Sequence, residues 1–392
     1  MNLERFVLRA ATPKDLDAYE RMAHASAVGI TTLPANRSAL AERLEQSAQA
    51  FASGDDASGE EVYVFVLEDL EADRLVGTSA ITASAGFADR FFSYRNEMLV
   101  HASTALEASQ RIHTLHLCHD LSGHTLLSAF YIEPGYEHTL APQLMSRARL
   151  LFIAEFAQRF SDRIAAESPG LADDSGRCPF WDAVGRRFFE MDYPAAERLA
   201  AGRNKAFIAE LMPQAPIYVS LLPEEAQWAI GQLHPVAELP FSILIDEGFD
   251  TETYVDIFDG GPTVDARVAM LATVAGSRRC MWGLGTAVTP TMHLVANTRR
   301  ADFRAVLALA ERCDGIDGSD GKELGEGGAI ALRLDAAAAA RLRCTSGDML
   351  RAAPLRLSPL SVAPQSVAPL SVAPPSVSPL SVAPLRVVQE KP

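Results

Sequence analysis

The sequence predicts an α+β protein, built as a mixed sheet with flanking helices and followed by a small β-rich C-terminal domain. Three observations predict it. The N-terminal third reads strand, helix, helix, hairpin, with apolar residues at helical spacing in the helices and dense β-branched and aromatic runs in the strands. A second block, from about Ile112, again places strands on either side of an amphipathic helix. From about Ala266 the pattern changes to short strands and glycine turns. The expected division is residues 1–265 for the larger domain, 266–353 for the smaller, and 354–392 for a disordered tail.

Taken in order, Phe6–Arg9 opens as a strand. Thr12 is placed to cap a helix, with Pro13 at the first helical position and Asp15 near the positive end of the dipole. After a turn at Gly29–Pro34, Arg37–Phe51 carries Leu40, Leu44 and Ala48 at helical spacing. Val62–Leu67 and Leu75–Ala83 are strands joined by the acidic stretch Glu68–Arg74, which makes an antiparallel hairpin. Ser93–Glu97 reads as a connection. Ile112–Cys118 and Thr125–Ile132 read as strands, Ser146–Phe160 as an amphipathic helix, Arg163–Ala166 as the next strand and Pro179–Asp192 as a helix. Val219–Leu233 is expected to be helical. Phe241–Glu247 reads as a short helix ended by Gly248, Tyr254–Phe258 as a strand, and Asp259–Pro262 as a tight turn. Asp314–Gly328 is rich in Gly and Asp, Leu334–Leu342 is an alanine-rich helix, and Gly347–Arg351 closes as turn and strand. Prolines 359, 364, 369, 374, 379 and 384 then recur every five residues. Proline at that spacing forbids helix and sheet, so the tail is expected to be extended and unpacked. It fits a passive extension, and also a ligand for a proline-recognising domain.

The chain has 392 residues, enough for a sizeable core. A net charge of -15 argues against the clustered basic footprint of a nucleic-acid binder. Cys118, Cys178, Cys280, Cys313 and Cys344 are odd in number and widely spaced, which suits thiols in a reducing compartment and not a disulfide frame. The start, MNLERFVLRAATPKD, lacks the apolar core of a signal peptide, and no apolar run approaches membrane-spanning length. A cytoplasmic protein is expected, without membrane contact.

The stretch Lys205–Thr263 organises the candidate chemistry. His234 sits there between a helical pattern and Pro235, which biases it away from helical backbone. A histidine on such a boundary is most often exposed and inert. The apolar helix before it, the helix–Gly–strand unit after it and the Gly260-Gly261 turn favour a working role instead. His113, His116, Cys118 and His119 resemble a metal cluster, but strand alternation points His116 and Cys118 one way and His113 and His119 the other. No metal is expected. Cys118 and Cys178 lack the paired histidine and positive surroundings of a catalytic thiol. Arg95 could clamp a carboxylate in bidentate fashion or simply be solvated. Asp256 and Asp259 flank a strand end where an ammonium or guanidinium could dock, and Asp259 is equally explained as a turn cap.

The order strand–helix–helix–hairpin resembles the opening of the GCN5-related acyltransferase fold. That resemblance implies a strand that splays from its neighbour to admit acyl-CoA. Such enzymes carry Arg/Gln-x-x-Gly-x-Gly/Ala before the helix, whose N–H groups hold the CoA pyrophosphate. Here the position reads Glu137-His138-Thr139-Leu140-Ala141-Pro142. The glycines are absent, a carboxylate replaces the cation and Pro142 has no N–H, so this loop should bind pyrophosphate poorly.

Longer words carry a more specific resemblance. Thr31–Asn36, Tyr63–Asp69, Leu99–Ser103, Pro179–Trp181, Ala206–Pro213, Gly231-Gln232-Leu233-His234-Pro235 and Tyr254–Thr263 are similar to the arginine N-succinyltransferase family, from about Phe6 to Leu355. The wording of Ala83–Phe87, Tyr94–Glu97 and Leu117–Leu121 is most similar to the alpha subunit of the two-subunit arginine/ornithine form. The resemblance implies transfer of succinyl from succinyl-CoA to the α-amine of arginine, or of ornithine, in arginine catabolism. Succinyl-CoA is then a co-substrate and no further cofactor is implied. It implies His234 as proton donor and Phe130, where the family has leucine, at the succinyl-CoA contact. It also implies a homologous beta subunit or a second copy as partner. The chain departs from single-subunit members at the phosphate loop and at Ser168-Pro169, where they have Met-Arg. On this reading Arg95 meets the succinyl carboxylate, and Asp256 and Asp259 meet the amine substrate. The alternative is a degenerate, non-catalytic subunit that supports an active partner.

Overall fold

The run Val62–Asp69 is buried on both faces, and it forms the middle of the sheet. In the computed structural model the described residues are 3–26, 33–54, 57–87, 90–105, 107–173, 175–200, 210–285, 289–313 and 331–357. Their strands are β1 (Phe6–Ala10), β2 (Val62–Asp69), β3 (Arg74–Thr82), β4 (Ser93–Ser103), β5 (Ala108–Cys118), β6 (Thr125–Ile132), β7 (Arg163–Glu167), β8 (Ile217–Tyr218), β9 (Asp250–Val255) and β10 (Pro262–Arg267). The later strands are β11 (Arg278–Leu284), β12 (Thr291–Asn297), β13 (Arg304–Cys313), β14 (Ala331–Leu334) and β15 (Met349–Pro354). The main sheet runs β1-β2-β3-β6-β7-β10-β9-β4-β5-β8. At its other end β1 pairs antiparallel with β13, so the sheet continues into the C-terminal strands. There β13, β12, β15, β11 and β14 pair in a ring and close a small barrel, with β11 and β14 parallel.

Two helices, α1 (Leu16–Ala25) and α2 (Arg37–Ala52), pack on one face, burying Tyr19, Met22, Leu40 and Leu44 against Val64 and Val66. The Asn36 side chain accepts from the N–H of Ala39 and caps α2. On the other face α3 (Ala141–Glu155) is buried all round from Ala141 to Ile153, the signature of a helix enclosed by the core. Phe51, Tyr63, Phe65, Phe152 and Phe303 meet there edge to face, with ring centroids about 5–6 Å apart.

The feature that matters for function is a parting of strands. β6 and β7 are parallel neighbours over Thr125–Leu127 and Ile164–Ala166 only. Beyond that point β6 stays on β3 as far as Ile132, while β7 stays on β10 through Glu167. Each strand is held by its outer neighbour, so the gap between them is fixed. Ala80 faces Ser128 and Thr78 faces Tyr131, so Ala129 and Phe130 form a bulge, with Ala129 at φ 51°.

Several expectations need correction. Ser93–Glu97 is not a connection; it begins β4, which pairs with β5 along eleven residues as a long hairpin. The expected helix Val219–Leu233 is reduced to Glu224–Ala229 after a 3-10 turn, because Pro223 holds Leu222 extended and Gly231 turns the chain at φ 73°. Pro179–Asp192 breaks at Gly185, where a Cβ would lie 2.2 Å from the Trp181 ring. The strand expected at Tyr254–Phe258 ends at Val255, since Asp256 accepts from the Phe258 N–H and turns the chain. Asp314–Gly328, the tail beyond Leu357, and the words Thr31-Thr32 and Ala206–Ala209 lie outside the described residues. Among the described residues no helix is long and apolar enough to cross a membrane.

Candidate active site

The parted strands open into a cleft with about 920 Å³ of unfilled space, continuous with solvent. One wall is β6 from Leu126 to Phe130, and the other is Ala166–Pro169 at the end of β7. Arg149 of α3 forms the floor, Tyr193 and Glu197 come from the helix Tyr193–Ala200, and Asp256, Phe258 and Asp259 come from the turn after β9. Val236, Ala237, Pro240 and Leu244 supply an apolar rim.

The chain just after β7 is tied down by backbone contacts. The N–H of Ser168 donates to the Pro262 carbonyl at 3.1 Å, and the N–H of Gly170 donates to Asp259 Oδ2 at 2.8 Å. Only glycine fits at 170 and 261, because a Cβ at either would come within 2.7 Å of neighbouring backbone. This packed layer positions His234. Its backbone N–H donates to the carbonyl of Pro169, a cleft residue, at 2.8 Å. The His234 side chain is half-buried and is not itself part of the cleft lining, which it adjoins through Pro169, Val236 and Ala237; its Nδ1 accepts from the Val236 N–H at 3.3 Å. An Nδ1 that accepts places the hydrogen of the neutral ring on Nε2.

Asp256 and Asp259, both buried, line the cleft. Asp256 Oδ1 accepts from the N–H groups of Phe258 and Asp259. Asp259 accepts from the N–H groups of Gly170 and Gly261 and, at 3.3 Å, from the Tyr193 hydroxyl. Burial, then the charges of Asp259 and Glu197, push the Tyr193 hydroxyl well above its ordinary value, so it stays protonated and donates. Phe130 lies in the wall beneath Arg149, whose guanidinium carbon is 5.6 Å from the ring centroid.

Arg95 is placed elsewhere. It stands on β4, four places along the sheet from β6, or about 19 Å at the usual strand spacing. Its guanidinium bonds Glu97 and Asp120, the latter at 2.7 Å, and these carboxylates raise its pKa. The cation lining the cleft is Arg149, which the sequence reading passed over. No local pattern singles it out, because Gln143, Ser146 and Arg147 are polar residues buried on the same helix. Glu167 and Glu197 also line the cleft, and with Asp256 and Asp259 they make the rest of its charged lining acidic.

At the mouth of α3 the N–H of Gly135 donates to Glu137 Oε2 at 2.6 Å, and the N–H of Ala141 to Thr139 Oγ1 at 3.1 Å. Those two donors are thus engaged within the loop. On β5, His113 meets Asn96, His116 lies 3.1 Å from Thr114 Oγ1, and Cys118 lies 3.6 Å from Ser93 Oγ. Burial pushes the Cys118 thiol up, and it pushes the Cys178 thiol up further.

A sequence model described as "AstA: Arginine N-succinyltransferase beta subunit" matches residues 6–273. The arginine N-succinyltransferase subunit alpha of Pseudomonas aeruginosa is 43% identical over 333 residues, 83% of this chain and 98% of that protein. The subunit beta of the same organism is 38% identical over 350 residues, 89% of this chain and 98% of that one. An arginine N-succinyltransferase of Yersinia pestis is 36% identical over 356 residues, 89% of this chain and 97% of its own length. The solved structure of arginine/ornithine succinyltransferase subunit AI from Pseudomonas aeruginosa superposes with a TM-score of 0.77 at 40% identity, covering 90% of this chain and 99% of that one. With a matching family description over most of its length and relatives well above 30% identity along nearly their whole chains, the protein belongs to the arginine N-succinyltransferase family of transferases.

Proposed function

We propose that the protein transfers succinyl from succinyl-CoA to the α-amine of arginine, with the thioester seated between β6 and β7 in the manner of GCN5-related acyltransferases. The observation that carries this reading is the fixed gap beyond Leu127 and Ala166, with the backbone of His234 bonded to Pro169 of the cleft lining. The neutral α-amine attacks the thioester carbonyl directly. The bulge at Ala129–Phe130 takes backbone out of the regular ladder beside that carbonyl, where an N–H can meet the oxyanion. As the tetrahedral species collapses, the C–S bond breaks and the CoA thiolate needs a proton. His234 supplies it as the imidazolium, giving its Nε2 hydrogen to the thiolate and returning to the neutral ring, and the proton lost by the amine recharges it. The acidic wall of Asp256, Asp259, Glu167 and Glu197 suits a cationic amine substrate, arginine or ornithine. Asp259 acts chiefly by holding the turn, since backbone N–H groups occupy both its oxygens.

A homologous beta subunit or a second copy is the proposed partner. The internally engaged loop Gly135–Ala141 supports that view, because it offers few donors to a pyrophosphate. Cys118, Cys178, Cys280 and Cys344 are free thiols, which supports a cytoplasmic setting. The assay is release of free thiol from succinyl-CoA with arginine and with ornithine, with and without a beta homologue. The wild-type chain should turn over in at least one arrangement, and His234→Ala should lower kcat by about 100-fold or more. An unchanged kcat would remove the proton-donor role. No turnover in any arrangement would favour the non-catalytic reading.

A further inference from the structure

Arg149 is 3% exposed, and among the described residues no carboxylate comes within 4 Å of its guanidinium. Its Nε donates to the Ser146 carbonyl at 3.3 Å and one terminal nitrogen to Ser146 Oγ at 3.2 Å, both one helical turn back on its own helix. The next arginine on α3, Arg147, is by contrast paired with Glu247 at 2.6 Å. A buried cation without a counter-ion is costly to fold, and burial pushes Arg149 down to about 9, still charged at neutral pH. Its guanidinium faces the cleft over Phe130, next to the bulge of β6. The other charged residues of the lining, Glu167, Glu197, Asp256 and Asp259, are acidic, so Arg149 is the cationic group an anion entering the cleft can meet there. We propose that Arg149 is the acyl-specificity residue, receiving the free carboxylate of the succinyl group and thereby selecting a dicarboxylic acyl chain over a monocarboxylic one.

The inference rests on the acyl-transfer reading and assigns the partner of the substrate's far end. A guanidinium already aligned by Ser146 can bond both carboxylate oxygens without losing much side-chain freedom. The test compares succinyl-CoA with butyryl-CoA, which has the same chain length and no carboxylate. It measures kcat/KM with arginine and, independently, dissociation constants by calorimetry on the full chain with its partner present. Arg149→Met keeps the side-chain length and removes the charge. The ratio of succinyl-CoA to butyryl-CoA, in rate or in affinity, should fall about 100-fold in that variant, as for a lost charge-assisted hydrogen-bond pair. Arg149→Lys keeps the charge without the fork, so it should fall part of the way; it also serves if the methionine variant does not fold. A ratio unchanged in the folded variant, whether both acyl-CoAs weaken together or neither does, overturns the assignment. Failure of the wild-type protein to use succinyl-CoA at all would instead overturn the acyl-transfer reading itself.

Discussion

Single residues in this protein act through the charge they are allowed to keep. Asp69 shows the structural side. Burial alone would raise its pKa, but hydrogen bonds from Arg5 at 2.6 Å and Tyr136 at 2.8 Å, with the N–H groups of Ala72 and Glu71, hold it at about 2. The folded value lies below the ordinary 3.8, so the carboxylate contributes stability that is fully present above 3.8 and is lost as pH falls through about 2. Asp69→Asn should therefore cost roughly 2 kcal/mol near neutrality and flatten the loss of stability between about pH 4 and pH 2. Thermal melts across that range check it, and a variant with the wild-type acid profile would refute it. Arg95 and Arg149 show the functional side. Both are arginines that a sequence offers as carboxylate clamps, but Arg95 already holds Glu97 and Asp120 whereas Arg149 holds no acid. No local pattern separates the two, because the acids that occupy Arg95 come from its own strand and from Asp120 beyond β5.

Among the elements, those with strong periodicity were legible. The β2–β3 hairpin, β6, β7 and the alanine-rich helix Ala336–Leu342 emerge where alternation or helical spacing predicts them, whereas α3, expected over Ser146–Phe160, begins and ends five residues earlier, at Ala141 and Glu155. The missed strand β4 reads SYRNEMLVHAS, a mostly half-buried or exposed strand near the sheet edge with little apolar alternation to reveal it. The wedge itself was expected only from resemblance, because where two parallel strands stop pairing depends on their outer neighbours. Phe130 was expected near the gap only by resemblance and does line it, whereas Glu167 and Glu197 join the cleft only through packing. If the acyl chain lies between β6 and β7, filling that gap should block it. Ala166 is buried in the wall, and Ala166→Leu should raise KM for succinyl-CoA by about tenfold or more, at a stability cost of about 1–3 kcal/mol. Steady-state kinetics of the folded variant decide this; an unaltered KM would argue that the chain runs elsewhere.

Across the whole molecule α3 is the strut between the cleft and the rest. Its Arg147 binds Glu247 at 2.6 Å, and Glu247 also accepts from the N–H and hydroxyl of Thr273 at 2.7 Å. Three helices thus share one buried carboxylate, and the middle one, Glu238–Glu247, follows directly on the His234 turn. At the other end of α3, Glu155 takes Arg279 and Arg351 from barrel strands β11 and β15, each at 2.8 Å. Glu247→Ala would leave the buried Arg147 with only Asp246, 3.5 Å away, and it should cost about 3 kcal/mol, read as a fall in Tm and in denaturant midpoint. A loss below about 1 kcal/mol would mean that the helices are held by apolar packing alone. The joining of sheet to barrel through β1 and β13 was not legible, because it pairs residues nearly three hundred positions apart.

The central claim is that the parted strands receive a thioester beneath His234. A structure of the chain with CoA bound tests it most directly. The account predicts the pantetheine arm between Ser128–Phe130 and Ala166–Ser168, with the sulfur facing the His234 imidazole. CoA bound on another surface, with the gap between β6 and β7 left unoccupied at saturating ligand, would contradict it.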